Sequence, residues 1–141
     1  MKILNSALLA FFLKSTGVCT DTRKIQAGNL FFALKGPNFN ANALAKEALE
    51  KGALAAVIDD VNFETGDKTL LVEDGLKALQ DLARDYRNTL NIPIIGLTGS
   101  NGKTTTKELL FSVLSQKFHC YATAGNLNNH IGVPLSILQI K

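Results

Sequence analysis

Apolar positions along the chain alternate between two rhythms, short β-like runs and stretches at helical spacing. After Lys2, the apolar run 7–13 (ALLAFFL) reads as a short helix that Asn5 or Ser6 caps and whose apolar residues pack inward. A strand is expected near 18–20 and a turn at 26–29. The run 30–34 (LFFAL) is short enough for a buried strand, which Gly36-Pro37 breaks. Ala43, Leu44, Ala48 and Leu49 recur at helical spacing, with Gly52 where a helix end favours a left-handed residue. A strand over 53–58, a polar loop over 59–67 and a strand over 69–72 follow. Asp74 is the expected N-cap of a long helix, because Leu76, Leu79, Leu82, Ala83, Tyr86 and Leu90 share one face. The β-branched run 92–97 predicts a strand leading into a glycine-rich loop. A helix is expected from there to about Lys117, then a strand over 119–123, a polar loop over 124–134 and a further element from 135. Strands alternating with helices predict an α/β protein with at least partly parallel sheets. A seam is expected near Asp74, giving parts 1–74 and 75–141.

With 46% hydrophobic and 19% charged residues the chain is no disordered or low-complexity sequence. The 141 residues lie within the range of one ordinary domain, and two full-size domains would be crowded. A formal charge of +3 without blocks of like charge gives no sign of nucleic-acid or membrane binding. Cys19 and Cys120 form no C-x-x-C, which suits a reducing, cytoplasmic setting. The apolar run near the N-terminus is too short for a membrane span. Lys14 follows it and no A-x-A-like cleavage site does, which disfavours a signal peptide.

One segment carries chemistry. Gly99-Ser100-Asn101-Gly102-Lys103-Thr104 stands between an expected strand and an expected helix, the context of a phosphate-binding loop. Glycines let backbone N–H groups turn toward phosphate oxygens, and the helix N-terminus adds partial positive charge. Lys103 would neutralise the β- and γ-phosphates, and the Thr104 hydroxyl would hold Mg2+. Thr104, Thr105 and Thr106 place three middling helix formers in one first turn, a local irregularity of the sort functional sites show. The longer G-x-x-x-x-G-K-[ST] pattern fails, since position 97 is Leu97 and only the G-x-x-G-K-T core stands. A glycine-rich turn with an exposed lysine is the bland alternative.

The run 96–107 (GLTGSNGKTTTK) resembles the ATP loop of the Mur ligases, which assemble the peptide stem of bacterial cell-wall precursors. Segments 20–24 (TDTRK), 29–36 (NLFFALKG) and 123–134 (TAGNLNNHIGVP) extend the resemblance along the chain in the family's order. Thr106-Lys107-Glu108 and the NLNN run point to the branch whose incoming amine is D-alanyl-D-alanine. The resemblance implies a small mixed α/β UDP-sugar domain at 1–74 and the start of a P-loop ATPase domain, with an incomplete parallel sheet, at 75–141. It implies an ATP- and Mg2+-dependent, cytoplasmic and monomeric peptide ligase. Its partners would be UDP-N-acetylmuramoyl-tripeptide and D-alanyl-D-alanine, joined through an acyl phosphate. By the same resemblance Gly99, Ser100, Asn101, Gly102, Lys103, Thr104 and Thr105 hold ATP, with Lys103 catalytic. Thr22, Arg23, Thr123, Asn126, Asn128 and Asn129 contact the UDP-sugar substrate, and Lys35-Gly36 with the next helix start border the same pocket in relatives.

Taken by their chemistry alone, these last residues have plainer readings. Asp21-Thr22-Arg23-Lys24 could be a capped turn with solvated charges, and the asparagines turn formers. Where many relatives carry Asp-x-His, this chain has Asn40-Ala41-Asn42, which can hydrogen-bond or cap a helix but supplies no imidazole. His119 and His130 lack metal-ligand spacing, and Asp59-Asp60 reads as a solvated strand end. Beyond Lys103 the sole acidic residue is Glu108. A later carboxylate near Mg2+ is therefore not in view, and the expectation is an N-terminal fragment, inactive alone. A non-catalytic module that binds a UDP-sugar or nucleotide is the alternative.

Overall fold

The computed structural model describes residues 5–125 and 127–141, and the capping expected of Asn5 or Ser6 falls outside the described side chains. A four-stranded sheet forms the centre, in the order β1 (Gly17–Cys19), β2 (Asn29–Phe32), β5 (Ala55–Ile58), β6 (Thr69–Leu71), every pairing parallel. Parallel strands require crossovers and cover on both faces, and β2 and β5 are buried at every position. Side chains alternate across them. Leu30, Phe32, Ala55 and Val57 face one core with Leu8 and Phe12 of α1 (Asn5–Lys14) and Leu79 and Leu82 of α3 (Gly75–Thr89). Phe31, Ala33, Ala56 and Ile58 face a second core, closed by Ala45 and Ala48 of α2 (Ala45–Glu50). The inward packing expected of the first helix is what Leu8 and Phe12 do. No described helix is long and apolar enough to cross a membrane.

Between β2 and α2 the chain makes a small antiparallel hairpin, β3 (Lys35–Gly36) with β4 (Phe39–Asn40), turning at Pro37-Asn38. A 3-10 turn, Ala41–Leu44, then leads into α2. The long helix forms where expected, and Asp74 Oδ1 accepts from the Lys77 amide at 2.8 Å. It packs on the first sheet and also against α5 (Gly132–Leu138), whose Leu138 enters the same core. The Tyr86 hydroxyl donates to the Ile140 carbonyl at 2.6 Å, and its ring meets Phe12 edge-on at 4.8 Å.

Three expectations fail in the second half. Segment 92–97 is not a strand: Ile92, Ile94, Ile95 and Leu97 are exposed, and no described strand pairs with it. A strand exists only through a partner, however strong its β-branched pattern. Segment 119–123 is likewise unpaired coil. The final element is a helix beginning at Gly132, so the expected loop to 134 ends early, with Pro134 tolerated in the first turn. The helix α4 (Lys103–Leu114) forms, but Leu109 and Val113 remain exposed and none of its residues is buried.

Candidate functional site

The glycine loop ends at α4 as a backbone turn that needs glycine. Gly102, the N-cap, has φ +76°, and Gly99 has φ +147°. A Cβ at Gly102 would meet nothing within 4 Å, so its requirement is conformational, not steric. The Thr106 amide donates to the Gly102 carbonyl at 2.8 Å, closing the first turn. The amides before it have no helical partner and point out of the helix end. Lys103 Nζ donates to the Gly99 carbonyl, so the ammonium lies back over its own loop. Thr104 and Thr105 are exposed. Among the described residues the Thr104 hydroxyl has no hydrogen-bond partner, and no three His, Cys, Asp or Glu side chains cluster as a metal site. One free hydroxyl oxygen beside a glycine turn with unpaired helix-end amides fits Mg2+ bound largely by phosphate and water, not a protein cage.

One helical turn on, Lys107 Nζ donates to the Thr123 carbonyl at 2.7 Å and pairs with Glu108 at 2.9 Å. This ties α4 to segment 119–125, and Lys107, Thr123 and Cys120 help to line a shallow cleft of about 300 Å³. Asn129 Oδ1 accepts from the amides of Ile131 (3.1 Å) and Gly132 (2.7 Å), so its side chain starts α5. Asn128 is exposed. Asn126 lies outside the described residues.

A second cleft, of about 460 Å³, opens at the C-terminal end of β1, between residues Thr20–Arg23 on one side and Phe39 and Leu44 on the other. Asp21 caps the 3-10 turn Thr22–Lys24, accepting from the Arg23 amide at 3.0 Å. It also takes a bidentate pair from the Arg23 guanidinium, at 2.9 and 2.8 Å. The guanidinium hydrogen bond, then that amide, lower the Asp21 carboxyl from 3.8 to about 2. Thr22 is buried, and its carbonyl accepts from Lys51 Nζ at 3.1 Å. Lys51, followed by the Thr22 hydroxyl, holds Glu47 below the usual carboxylate range. Thr22 and Arg23 thus line a different cleft from Thr123.

Comparison with known proteins decides the family. Residues 14–87 match the profile described as Mur ligase family, catalytic domain, and residues 97–141 the Mur ligase middle domain. The chain belongs to the Mur ligase family. Its curated relatives include the UDP-N-acetylmuramoyl-tripeptide–D-alanyl-D-alanine ligases of Synechocystis, 43% identical over 99% of this chain, and of Escherichia coli, 40% identical over 98%. Among solved structures, MurF ligase from Thermotoga maritima in complex with ADP superposes with a TM-score of 0.82 at 35% identity, over 92% of this chain. A MurF from Acinetobacter baumannii superposes with a TM-score of 0.77 at 36% identity, over 88%. The chain spans about 30% of the length of the Synechocystis, Escherichia and Thermotoga proteins.

In this Mur ligase chain, the reading of Asp59 as solvated is corrected by the structure. Its side chain is 12% exposed and pairs with Lys35 at 2.9 Å. It also accepts from Asn42 Nδ2 at 2.8 Å and from the Gly75 amide at 3.2 Å. Burial pushes its carboxyl up, but Lys35, Asn42 and the Gly75 amide together carry it below its ordinary value. Asn42, only 1% exposed, returns the contact by accepting from the Asp59 amide at 3.0 Å. The signal available in the sequence was the pair Asn40 and Asn42 in an apolar stretch, since buried amides demand partners.

Proposed function

We propose that this chain supplies the UDP-sugar cleft and the phosphate-binding loop of an ATP-dependent ligase that joins D-alanyl-D-alanine to UDP-N-acetylmuramoyl-tripeptide. The observation that carries the reading is the left-handed Gly102 turn presenting Lys103 and the free amides of α4, in a chain similar throughout to ligases of that name. Phosphoryl transfer asks mainly for positioning and charge neutralisation. The α4 amides, Gly99, Ser100, Asn101 and Thr105 surround the phosphates. Lys103 leaves the Gly99 carbonyl for the β- and γ-oxygens, and the Thr104 hydroxyl would hold Mg2+, which would supply neutralisation of phosphate charge. The peptide carboxylate takes the γ-phosphoryl group with release of ADP. The D-alanyl-D-alanine amine then attacks the acyl carbon and phosphate leaves.

Thr22 and Arg23 border the UDP-sugar in the second cleft, while Thr123, Asn128 and Asn129 contact the substrate near its junction with the nucleotide, with Asn126 assigned there by resemblance alone. The two parts are divided near the 74/75 seam, across which α3 packs on the first sheet. A monomer in the cytoplasm, where ATP and nucleotide sugars meet, fits this reading. Calorimetric titration of the 141-residue chain tests it by crossover. Lys103→Ala is expected to lose Mg-ATP binding and keep UDP-N-acetylmuramoyl-tripeptide binding, and Thr22→Ala to do the reverse. Loss of both ligands in both variants, or of neither, refutes the assignment of the two clefts.

A further inference from the structure

The second cleft has unequal walls. Thr20–Arg23 continue directly from β1 and are braced by the Asp21–Arg23 pair and by Lys51. The opposite wall is Phe39, on a hairpin of two residues per strand that is exposed at all four, followed by Leu44 at the end of the next turn. Such a ribbon has little stability of its own. Phe39 is 60% exposed, so packing does not hold it.

Buried Ala33 and Ala41 flank the hairpin, with the Ala41 amide on the Leu34 carbonyl at 3.2 Å, and the side-chain contacts that hold the strands themselves are polar. Its first strand is anchored by Lys35 Nζ on Asp59 Oδ1 at 2.9 Å. Its second leads into Asn40, whose Oδ1 accepts from the Asn42 amide (3.0 Å) and Nδ2 (2.7 Å). Asn42 Nδ2 also donates to Asp59 Oδ1, and Asn42 Oδ1 accepts from the Asp59 amide. The other oxygen, Oδ2, accepts from Gly75 at the start of α3. One carboxylate at the end of β5 therefore grips both strands of the hairpin and ties them to a rigid helix. An amide at this place could not accept from all three donors.

We propose that Asp59 is a positioning residue for nucleotide-sugar recognition, fixing through Lys35 and Asn42 the exposed Phe39 wall of the Thr20–Arg23 cleft. The inference rests on the UDP-sugar reading of that cleft. Affinity of the 141-residue chain for UDP-N-acetylmuramic acid is the measurement, with hydrogen exchange over 34–41 beside it. Asp59→Asn and Lys35→Met are each expected to weaken binding about five- to tenfold, the scale of one ordinary net hydrogen bond lost through an intermediary. Exchange over 34–41 accelerates in both, while β2 and β5 stay protected. The double variant is expected to bind no more weakly than either single one, because both act through one contact. Lys35 is half-exposed, so Lys35→Met keeps the fold even should Asp59→Asn not. Affinities within twofold of the wild type overturn the proposal. So do effects that multiply in the double variant, which would mean that Lys35 touches the sugar nucleotide itself. If the wild-type chain shows no affinity for UDP-N-acetylmuramic acid, the reading of the cleft falls and the recognition role with it. Unchanged exchange over 34–41 in both variants separately refutes the latch.

Discussion

Replacing Gly102 with alanine isolates what the phosphate loop demands of its backbone. The residue sits at φ +76°, and the added methyl would meet nothing within 4 Å, so no clash contributes. The cost is that of holding an L-residue in the left-handed region, about 1–2 kcal/mol. If the loop must keep this turn to present its amides, that energy appears as lost affinity. At 1.4 kcal/mol per factor of ten it amounts to roughly 5- to 30-fold weaker Mg-ATP binding. The core does not share the loss, because α4 has no buried residue, and the thermal midpoint is expected to stay put. Gly96→Ala is the matched control: its surroundings are equally open and its φ lies outside the left-handed range. Calorimetry with Mg-ATP gives the affinity, and the exchange rate of the Thr106 amide, bonded to the Gly102 carbonyl at 2.8 Å, reports on the turn. A Gly102→Ala chain with wild-type affinity and wild-type Thr106 exchange would refute the argument.

Two further expectations concern the first sheet. Leu79 is fully buried between α3 and the sheet, and Leu79→Ala is expected to cost about 2–5 kcal/mol in urea unfolding; a loss below 1 kcal/mol would mean that α3 is not part of that core. Asp21 is lowered from 3.8 to about 2, so its contribution to stability is complete above the unfolded value and lost as pH falls through 2. A carboxyl chemical-shift titration should show that midpoint in the wild type and a return toward 3.8 in Arg23→Ala.

How much was legible depended on how local the cause was. The helix α3 was readable because its cap, Asp74, and its buried face, Leu79, Leu82 and Ala83, lie within a few turns. The buried strands β2 and β5 were readable as apolar runs, though each is shorter than its run. Segment 92–97 has the composition of a strand, but pairing is decided by distant residues that its pattern does not name. The hairpin was missed because two-residue strands carry no periodicity. Asp59 was misread because its partners, Lys35, Asn42 and Gly75, lie 16 or more residues away, and an aspartate at a strand end otherwise reads as solvated. At the candidate sites, residue types and the Gly-Lys-Thr spacing were readable. The engagement of Asn129 as a helix starter and of the Thr22 hydroxyl on Glu47 was not.

Because β1, β2, β5 and β6 all run the same way, the sheet has a working rim and a back rim. The turn of Thr22, Lys35 of the hairpin, Asp59 and the Asp74 cap all follow C-terminal strand ends. The back rim is zipped shut near the middle, where the Gly28 amide donates to the Gly52 carbonyl at 2.8 Å and a methyl on Gly28 would come within 2.9 Å of Thr16. The turn before β6 stays open: Gly66, at φ +117°, has nothing within 4 Å of a would-be Cβ. That turn is therefore the natural port for a fluorescent reporter or affinity tag. An insertion there lengthens a connection on the side of the sheet away from every candidate contact of the Thr20–Arg23 cleft, and the grafted chain could watch ligand capture without standing in its path.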